Sequence, residues 1–221
     1  MKKRILVIAL AVCLVAIIGL GSLAYFQASK NLTNFFAVAG VEDPTDPNAT
    51  IDPDELFSIK LDEKDITVKD GRTEEGNVYT DLLPGMTLEK DPTVTNTGKY
   101  DAWVRVKVTF NDAADWSKVC QKHGIKELPS LLNGYEAKNW IYASDETVKD
   151  TANNTITYVC YYKSPVPAGE SVTLFKSITI PAEFDVEDMA SLATFQIKVT
   201  GEAIQAANTG ASAQEAFELF K

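Results

Sequence analysis

The sequence predicts a mostly β protein: an antiparallel, jelly-roll-like β-sandwich with short helical insertions and a C-terminal helix. The first observation is strict alternation in residues 104–110, where four apolar residues share one face and Arg105, Lys107 and Thr109 share the other. Period two is the pattern of a half-buried strand. The second is a series of short runs rich in Val, Ile, Thr, Tyr and Phe, bounded by Pro, Gly or acidic residues. The third is the lack of a strand-helix-strand rhythm, which argues against a parallel sheet.

The remaining elements follow from local signals. Residues 57–61 place three apolar side chains on one face, and residues 66–68 form a shorter β-prone run. Helices are predicted over residues 112–122, with Asp112 as the cap, and over residues 212–220, which open with a capping-box pattern. The other predicted strands are residues 155–162, 171–180 and 192–200.

Residues 1–24 are typical of an export signal. Three basic residues precede an apolar run over residues 5–20, and the small residues Ser22 and Ala24 stand before Tyr25 where a signal peptidase cleaves. We therefore expect a secreted protein, located in the extracellular matrix or at the cell surface, with no membrane span after processing. The alternative is an uncleaved anchor, because about 20 apolar residues can span a bilayer.

Composition divides and constrains the rest of the chain. Residues 25–41 are apolar and β-prone, residues 42–55 form an acidic Pro-rich linker, and residues 56–221 form the predicted sandwich domain. The formal net charge of −10 becomes −13 once the three basic residues of the signal are removed. Phosphate groups would repel such a chain, so nucleic acid is not an expected partner.

No catalytic, cofactor-binding or metal-binding residue is predicted, and we expect no enzyme activity. His123 is the only histidine, which excludes a paired-histidine zinc site; at the end of a helix it is expected to be exposed. The acidic linker could bind Ca²⁺ weakly but lacks the spacing of a chelating loop. Cys120 and Cys160 are either one disulfide or two buried thiols. Seven aromatic residues are interpreted as core and strand packing rather than a sugar-binding platform: Trp103, Trp116, Trp140, Tyr142, Tyr158, Tyr161 and Tyr162.

Two regions of the sequence resemble the TasA/camelysin (CalY) family, exported proteins of Gram-positive bacteria that a dedicated signal peptidase processes. One is the junction at residues 19–36, and the other is a Pro-Gly…Asn-Thr-Gly segment with the strand after it, residues 83–106. Similarity continues at residues 195–205 and 215–217. The residues that match the family motif are Pro84, Gly85, Asn96, Thr97 and Gly98. Gly98 is also available for a turn with positive φ.

The resemblance implies a jelly-roll subunit of an extracellular biofilm fibre, whose partners are copies of itself in a head-to-tail homopolymer, other matrix or assembly proteins, and the signal peptidase. In the family, the freed N-terminal segment adds a strand to the next subunit. An apolar segment just after the cleavage site, tethered by a linker, suits that role. The donor-strand candidates are Leu32, Phe35, Phe36 and Val38.

Alternatives stay open at this stage. The N-terminal segment could pair within its own sheet, and the chain could be the main fibre subunit or an accessory paralogue. A different class of function is a secreted camelysin-like metallopeptidase, or a glycan- or protein-binding module at the cell surface, because a fold does not fix a function. The lack of a zinc motif argues against carrying peptidase activity over from camelysin-type relatives.

Overall fold

The computed structural model describes the chain almost continuously from residue 81 onward and in short pieces before it. Described are residues 27–31, 34–35, 57–63, 72–73, 76–77, 79, 81–125, 128–193 and 195–219. The predicted signal, the acidic linker and the predicted strand at residues 66–68 lie outside this part. The described part is mostly β, with antiparallel sheets and short helices, as the sequence predicts.

The elements are numbered along the chain. The strands are β1 (Gln27–Asn31), β2 (Asn34–Phe35), β3 (Ile59–Asp62), β4 (Arg72–Thr73), β5 (Gly76–Asn77), β6 (Thr87–Glu89), β7 (Thr93–Asn96), β8 (Ala102–Phe110), β9 (Leu132–Asn133), β10 (Trp140–Asp150), β11 (Thr155–Tyr162), β12 (Ser171–Thr173), β13 (Ser177–Thr179) and β14 (Ile197–Gln205). The helices are α1 (Ala113–His123), α2 (Val186–Ser191) and α3 (Ala213–Glu218), and a 3₁₀ turn spans Leu128–Leu131.

The largest sheet has six antiparallel strands in the order β10-β11-β8-β14-β1-β2. Two three-stranded sheets have the orders β12-β7-β3 and β6-β13-β9. Backbone bonds join them where the chain bends: the Lys90 amide donates to the Lys176 carbonyl, and the Leu174 amide donates to the Pro92 carbonyl at 3.1 Å. The two small sheets therefore continue one another as a bent second layer. The jelly-roll strand order stays a prediction.

The main core lies between these layers. In β8, Val104, Val106 and Val108 are fully buried and Phe110 is nearly so, while the alternate residues are half-buried, which confirms the predicted alternation. Buried residues of β3, β7, β12 and β13 belong to the same apolar cluster. A second, smaller cluster forms on the opposite face of the large sheet, where Phe217 of α3 packs near Trp103 and Tyr161. The large sheet is thus covered on part of both faces.

Strand predictions succeed where alternation is strong and fail where a strand is interrupted. β11 has the predicted bounds, and β3 begins two residues after its predicted start. The predicted strand 171–180 is two strands, because the chain bends at Leu174–Lys176. The predicted strand 192–200 is shifted toward the C-terminus as β14, and β10 was not predicted.

Helix α1 confirms the predicted position but corrects its cap. Asp112 has φ 50° and its side chain makes no capping bond. Asn154 caps the helix instead, because its backbone and side-chain oxygens accept from the amides of Ala113 and Ala114, each at 3.0 Å. The helix packs on the core through Trp116, whose indole nitrogen donates to the Tyr158 hydroxyl at 2.9 Å.

The other two helices show capping chemistry in two forms. Helix α2 was not predicted; its capping box joins Asp185 and Asp188, each accepting from the backbone amide of the other. In α3, Ser212 accepts from the Glu215 amide as predicted, but Glu215 accepts from the Ala211 amide rather than from Ser212. Six-residue helices such as these depend on caps because they have few internal hydrogen bonds.

Candidate assembly interface

The N-terminal part of the chain lies along an edge of the large sheet. Strand β14 pairs with β8 over all nine of its residues, and on its other side β1 pairs with residues 200–204. The register sets Gln27 opposite Ile204 and Asn31 opposite Thr200. Strand β2 then pairs back onto β1, with Phe35 opposite Lys30. We call residues 200–204 of β14 the acceptor edge.

The acceptor edge is held at a fixed depth by the second layer. A Cβ atom added at Gly201 would lie 3.1 Å from Val94 Cγ2 and 3.7 Å from both Ile59 Cδ1 and Leu61 Cβ. A side chain here would be closer to Val94 than most contacts of this kind, so Val94 would have to shift by a few tenths of an ångström to accept it. The fully buried side chains of Val94 and Ile59 therefore pack directly against the backbone of the acceptor edge.

The opposite face of the acceptor edge carries a nearly buried charge cluster. The Glu202 carboxylate accepts from Arg105 Nε at 2.5 Å and from Lys107 Nζ at 2.7 Å. The Arg105 guanidinium lies 4.1 Å from the ring centroid of Phe217, which adds a cation–π contact. Arg105 and Glu202 each expose 11% of their side chains. These bonds compensate the desolvation of Glu202, and they hold β14 to β8.

The cluster extends across the sheet toward β10. Arg105 donates to the Tyr161 hydroxyl at 3.4 Å, and that hydroxyl donates to Glu146 at 2.7 Å. Burial is the main cause that raises the pKa of Tyr161 to about 12, so the hydroxyl keeps its proton at neutral pH and can donate. A row of polar contacts thus links β14, β8, β11 and β10 on one face.

The residues of the Pro-Gly…Asn-Thr-Gly segment support the second layer rather than form an open site. Gly85 has φ 82° and donates its amide to the Ile180 carbonyl, in a turn that Pro84 precedes. Fully buried Asn96 donates from Nδ2 to the carbonyls of Tyr100 and Val166. Asn96 Oδ1 accepts from the Gly98 amide, and Gly98 does not have the positive φ that the sequence suggested.

Strand β3 is anchored at both ends. The Ser58 carbonyl accepts from the amides of Thr97 and Gly98, and the Ser58 and Thr97 hydroxyls lie 2.5 Å apart. Past the other end, Lys90 Nζ lies 2.5 Å from Glu63 Oε1 in a buried ion pair. These contacts hold the chain at Ser58 and at Glu63, the two ends of β3.

The predicted site residues are only partly among those described. Phe35 lies in β2, and Leu32, Phe36, Val38 and the cleavage-site residues are outside the described part. The strand that pairs with β14 comes earlier than the apolar candidates, at Gln27–Asn31. It lies inside the segment that the sequence predicts as the donor, residues 25–41, but none of the four named donor candidates falls in it, because it holds a single apolar residue, Ala28, and does not alternate. Its one signal is its position just after the predicted cleavage site.

His123 is not the exposed helix end that the sequence suggested. Its Nε2 lies 2.7 Å from Asp188 Oδ2, its ring packs near Phe184, and its side chain is 12% exposed. The Lys122 ammonium also bonds Asp188, and this bond is the main reason that the pKa of Asp188 lies well below its usual range. The hydrogen bond from Lys122 to Asp185, followed by its bond to Asp188, raises the pKa of Lys122 to about 12. The cluster ties the end of α1 to the start of α2.

The other chemical candidates have structural roles in the described part of the chain. Cys120 and Cys160 are free thiols, and burial raises the pKa of Cys160 to about 12 and that of Cys120 to about 11, which disfavours the reactive thiolate. Of the seven aromatic residues, Tyr142 and Tyr162 are half-buried and the others are buried. Among the described residues, no group of three His, Cys, Asp or Glu side chains could hold a metal ion.

The comparison with known proteins adds no relative that could guide the functional interpretation of this geometry. The chain matches no protein-family model, no curated protein and no solved structure. In the part that the structure describes, no helix has both the length and the apolar character needed to cross a bilayer.

Proposed function

We propose that the protein is a secreted structural subunit of extracellular biofilm-matrix fibres and that its subunits join by donor-strand exchange of the mature N-terminal segment. The observation that carries the proposal is the position of β1. It comes right after the predicted cleavage site, and it occupies the acceptor edge through five paired residues. The fibre and biofilm context rests on the resemblance of residues 19–36 and 83–106 to the TasA/camelysin family. The proposal covers both a main and an accessory subunit.

The chemistry of β1 supports exchange between copies. Strand pairing uses backbone amides and carbonyls, so the acceptor edge of another copy offers β1 the same bonds as its own. The acceptor edge is kept in shape by contacts that do not involve β1: Gly201 rests on Val94, and Glu202 is bound to Arg105 and Lys107. Head-to-tail addition of this kind does not close on itself and gives filaments.

The length of the chain between the N-terminal strands and the sandwich also supports exchange. Residues 36–56 separate β2 from Phe57. Twenty-one residues can span up to about 70 Å. Because the chain is anchored at Ser58, that reach is measured from a fixed point, and it is long enough for β1 to bind a neighbouring subunit of this size.

A crosslinking experiment separates exchange from pairing within one chain. Asn31 and Thr200 are opposite one another in the register. Cα atoms of directly opposite residues in antiparallel strands are about 4.5–5.5 Å apart, which a disulfide can bridge. One variant carries Asn31→Cys and a second carries Thr200→Cys, both in the predicted mature chain that starts at Tyr25. Mixing and oxidising them yields a disulfide between position 31 of one chain and position 200 of another where β1 of one copy pairs with β14 of another.

Two controls define the result. Lys198→Cys lies on the same strand but outside the part paired with β1, so it should give no crosslink with Asn31→Cys. The double variant Asn31→Cys/Thr200→Cys, oxidised as a dilute monomer, should be locked and should form no filaments until it is reduced. Electron microscopy should show filaments from the chain starting at Tyr25 and none from one starting at Glu42. If the mixed variants give no more disulfide than the Lys198 control and only monomers are seen, donor-strand exchange is wrong. Metal-dependent casein cleavage or glycan retention would then favour the alternatives.

A further inference from the structure

The large sheet has a second edge, formed by β10, and its geometry differs from that of the acceptor edge. Trp140 to Ala143 pair in register with β11, and pairing resumes at Val148. Between these points, residues 144–147 of β10 lie opposite Tyr158 alone, because Ala143 pairs with Val159 and Val148 with Thr157. Strand β10 therefore carries three extra residues at the point where an incoming strand would have to bind.

The bulge is held in place by side chains. Glu146 accepts from the Tyr161 hydroxyl at 2.7 Å, and the hydroxyls of Tyr142 and Thr147 lie 3.3 Å apart. Tyr161 also accepts from Arg105, which is bound to Glu202 of the acceptor edge. The bulge is thus built into the polar row that crosses the sheet, and it is not a loose loop that could flatten when a strand approaches.

The residues around the bulge are also unfavourable for strand addition. Asp145 and Lys149 are exposed on β10, and Asp150 ends the strand. The regular stretches on either side are only four and three residues long. Bulges and charged side chains are the means by which sheet edges avoid pairing with other chains, because a bulge twists the edge and a charge would have to be buried.

From this contrast we infer that β10 is closed to the addition of a strand from a second copy of the chain. This inference deepens the proposed function and concerns the same sheet. Under the proposed exchange, growth through the acceptor edge of β14 is then not accompanied by branching or side-to-side pairing through β10.

The test restores a regular β10 in a chain whose acceptor edge is closed. The background is the oxidised Asn31→Cys/Thr200→Cys variant, in which β1 cannot leave, so any strand addition must use another edge. Deleting residues 144–146 removes the three extra residues. We expect the locked parent to stay monomeric and the locked deletion variant to associate, with slowed amide exchange at Trp140 to Ala143. A deletion variant that keeps the parent circular dichroism spectrum and melting temperature yet stays monomeric would overturn the inference.

A measurement on the unaltered chain covers the case in which the deletion variant does not fold. Amide exchange at Trp140 to Ala143 and at Val148 to Asp150 is compared between dilute and concentrated samples. We expect equal exchange at β10 under both conditions. Slower exchange at β10 in the concentrated sample would overturn the inference. Failure of the crosslink between β1 and β14 affects the proposed function alone, because neither β10 measurement requires exchange.

Discussion

Substitution of Asn96 is the most informative test of how the second layer is held together. It is fully buried, and its side chain makes three bonds: Nδ2 to the Tyr100 carbonyl at 2.7 Å, Nδ2 to the Val166 carbonyl at 2.9 Å, and Oδ1 from the Gly98 amide at 3.1 Å. At about 1 kcal/mol for each bond, and more where a buried group is left unpaired, Asn96→Ala should lower the free energy of unfolding by about 2–4 kcal/mol.

Asn96→Asp should be worse than Asn96→Ala at pH 7. The carboxylate keeps the acceptor for the Gly98 amide, but it places negative charge against the two carbonyl oxygens of Tyr100 and Val166 to which Nδ2 donated. A protonated carboxyl can donate once, so the deficit of the Asp variant relative to the Ala variant should shrink as pH falls toward 4. Nothing in the Ala variant titrates at that position, so it supplies the reference.

Urea unfolding followed by tryptophan fluorescence measures these differences, with Asn133→Ala as the matched control. Asn133 also donates twice from Nδ2, to Ser177 Oγ at 3.0 Å and Thr179 Oγ1 at 2.8 Å, but it is exposed. Water can replace those bonds, so we expect a loss below about 1 kcal/mol. The reasoning is refuted if Asn96→Ala costs no more than the control, or if the Asp variant matches or exceeds the Ala variant in stability at pH 7.

Two further predictions concern the acceptor edge and the cluster of α1 and α2. Gly201→Val should destabilise the fold by about 1–3 kcal/mol through overpacking against Val94. The double variant Gly201→Val/Val94→Ala should recover part of that loss. If the two substitutions are additive in a double-mutant cycle, the close contact carries no energy. For Asp188, whose pKa is lowered by its bonds in the folded protein, the stabilisation is present above its unfolded pKa of about 3.9 and is lost as pH falls through and below that value. Asp188→Asn should therefore flatten the acid side of the urea-midpoint profile below about pH 5, and an unchanged slope there would contradict the assignment.

The sequence was informative where one side chain in two faces the core. In β8 the alternation is so regular that the buried face could be read directly, and β11 has the predicted bounds because polar residues, Asn154 and Lys163, flank its run. Strand β10 escaped prediction because its bulge breaks the alternation after Ala143. The predicted cap of α1 was wrong for a different reason: Asn154, which caps α1, is distant in sequence, and no local pattern contains it.

The candidate interface was harder to predict than the fold. The sequence predicts apolar residues within 32–38 as the donors, whereas the described strand at the acceptor edge is the polar Gln27–Asn31. An edge strand is stabilised largely by its backbone bonds, and these leave no signature in the side chains. The supports of the acceptor edge were equally hidden, because the roles of Gly201 and Glu202 depend on contacts with β7 and β8 that only the folded chain brings together.

The polar composition of β1 has a consequence for assembly by exchange. A strand that binds mainly through its backbone binds its own acceptor edge and that of another copy with nearly equal energy, so the balance between them is set by effective concentration. A tether of about 20 residues keeps β1 near its own edge at roughly millimolar effective concentration. Under the proposal, the closed monomer is therefore favoured in dilute solution, and filaments grow where export concentrates the chain or where a tip already offers a vacant edge. Because β10 is closed by its bulge, that growth can lengthen a filament without joining it to its neighbours through β10.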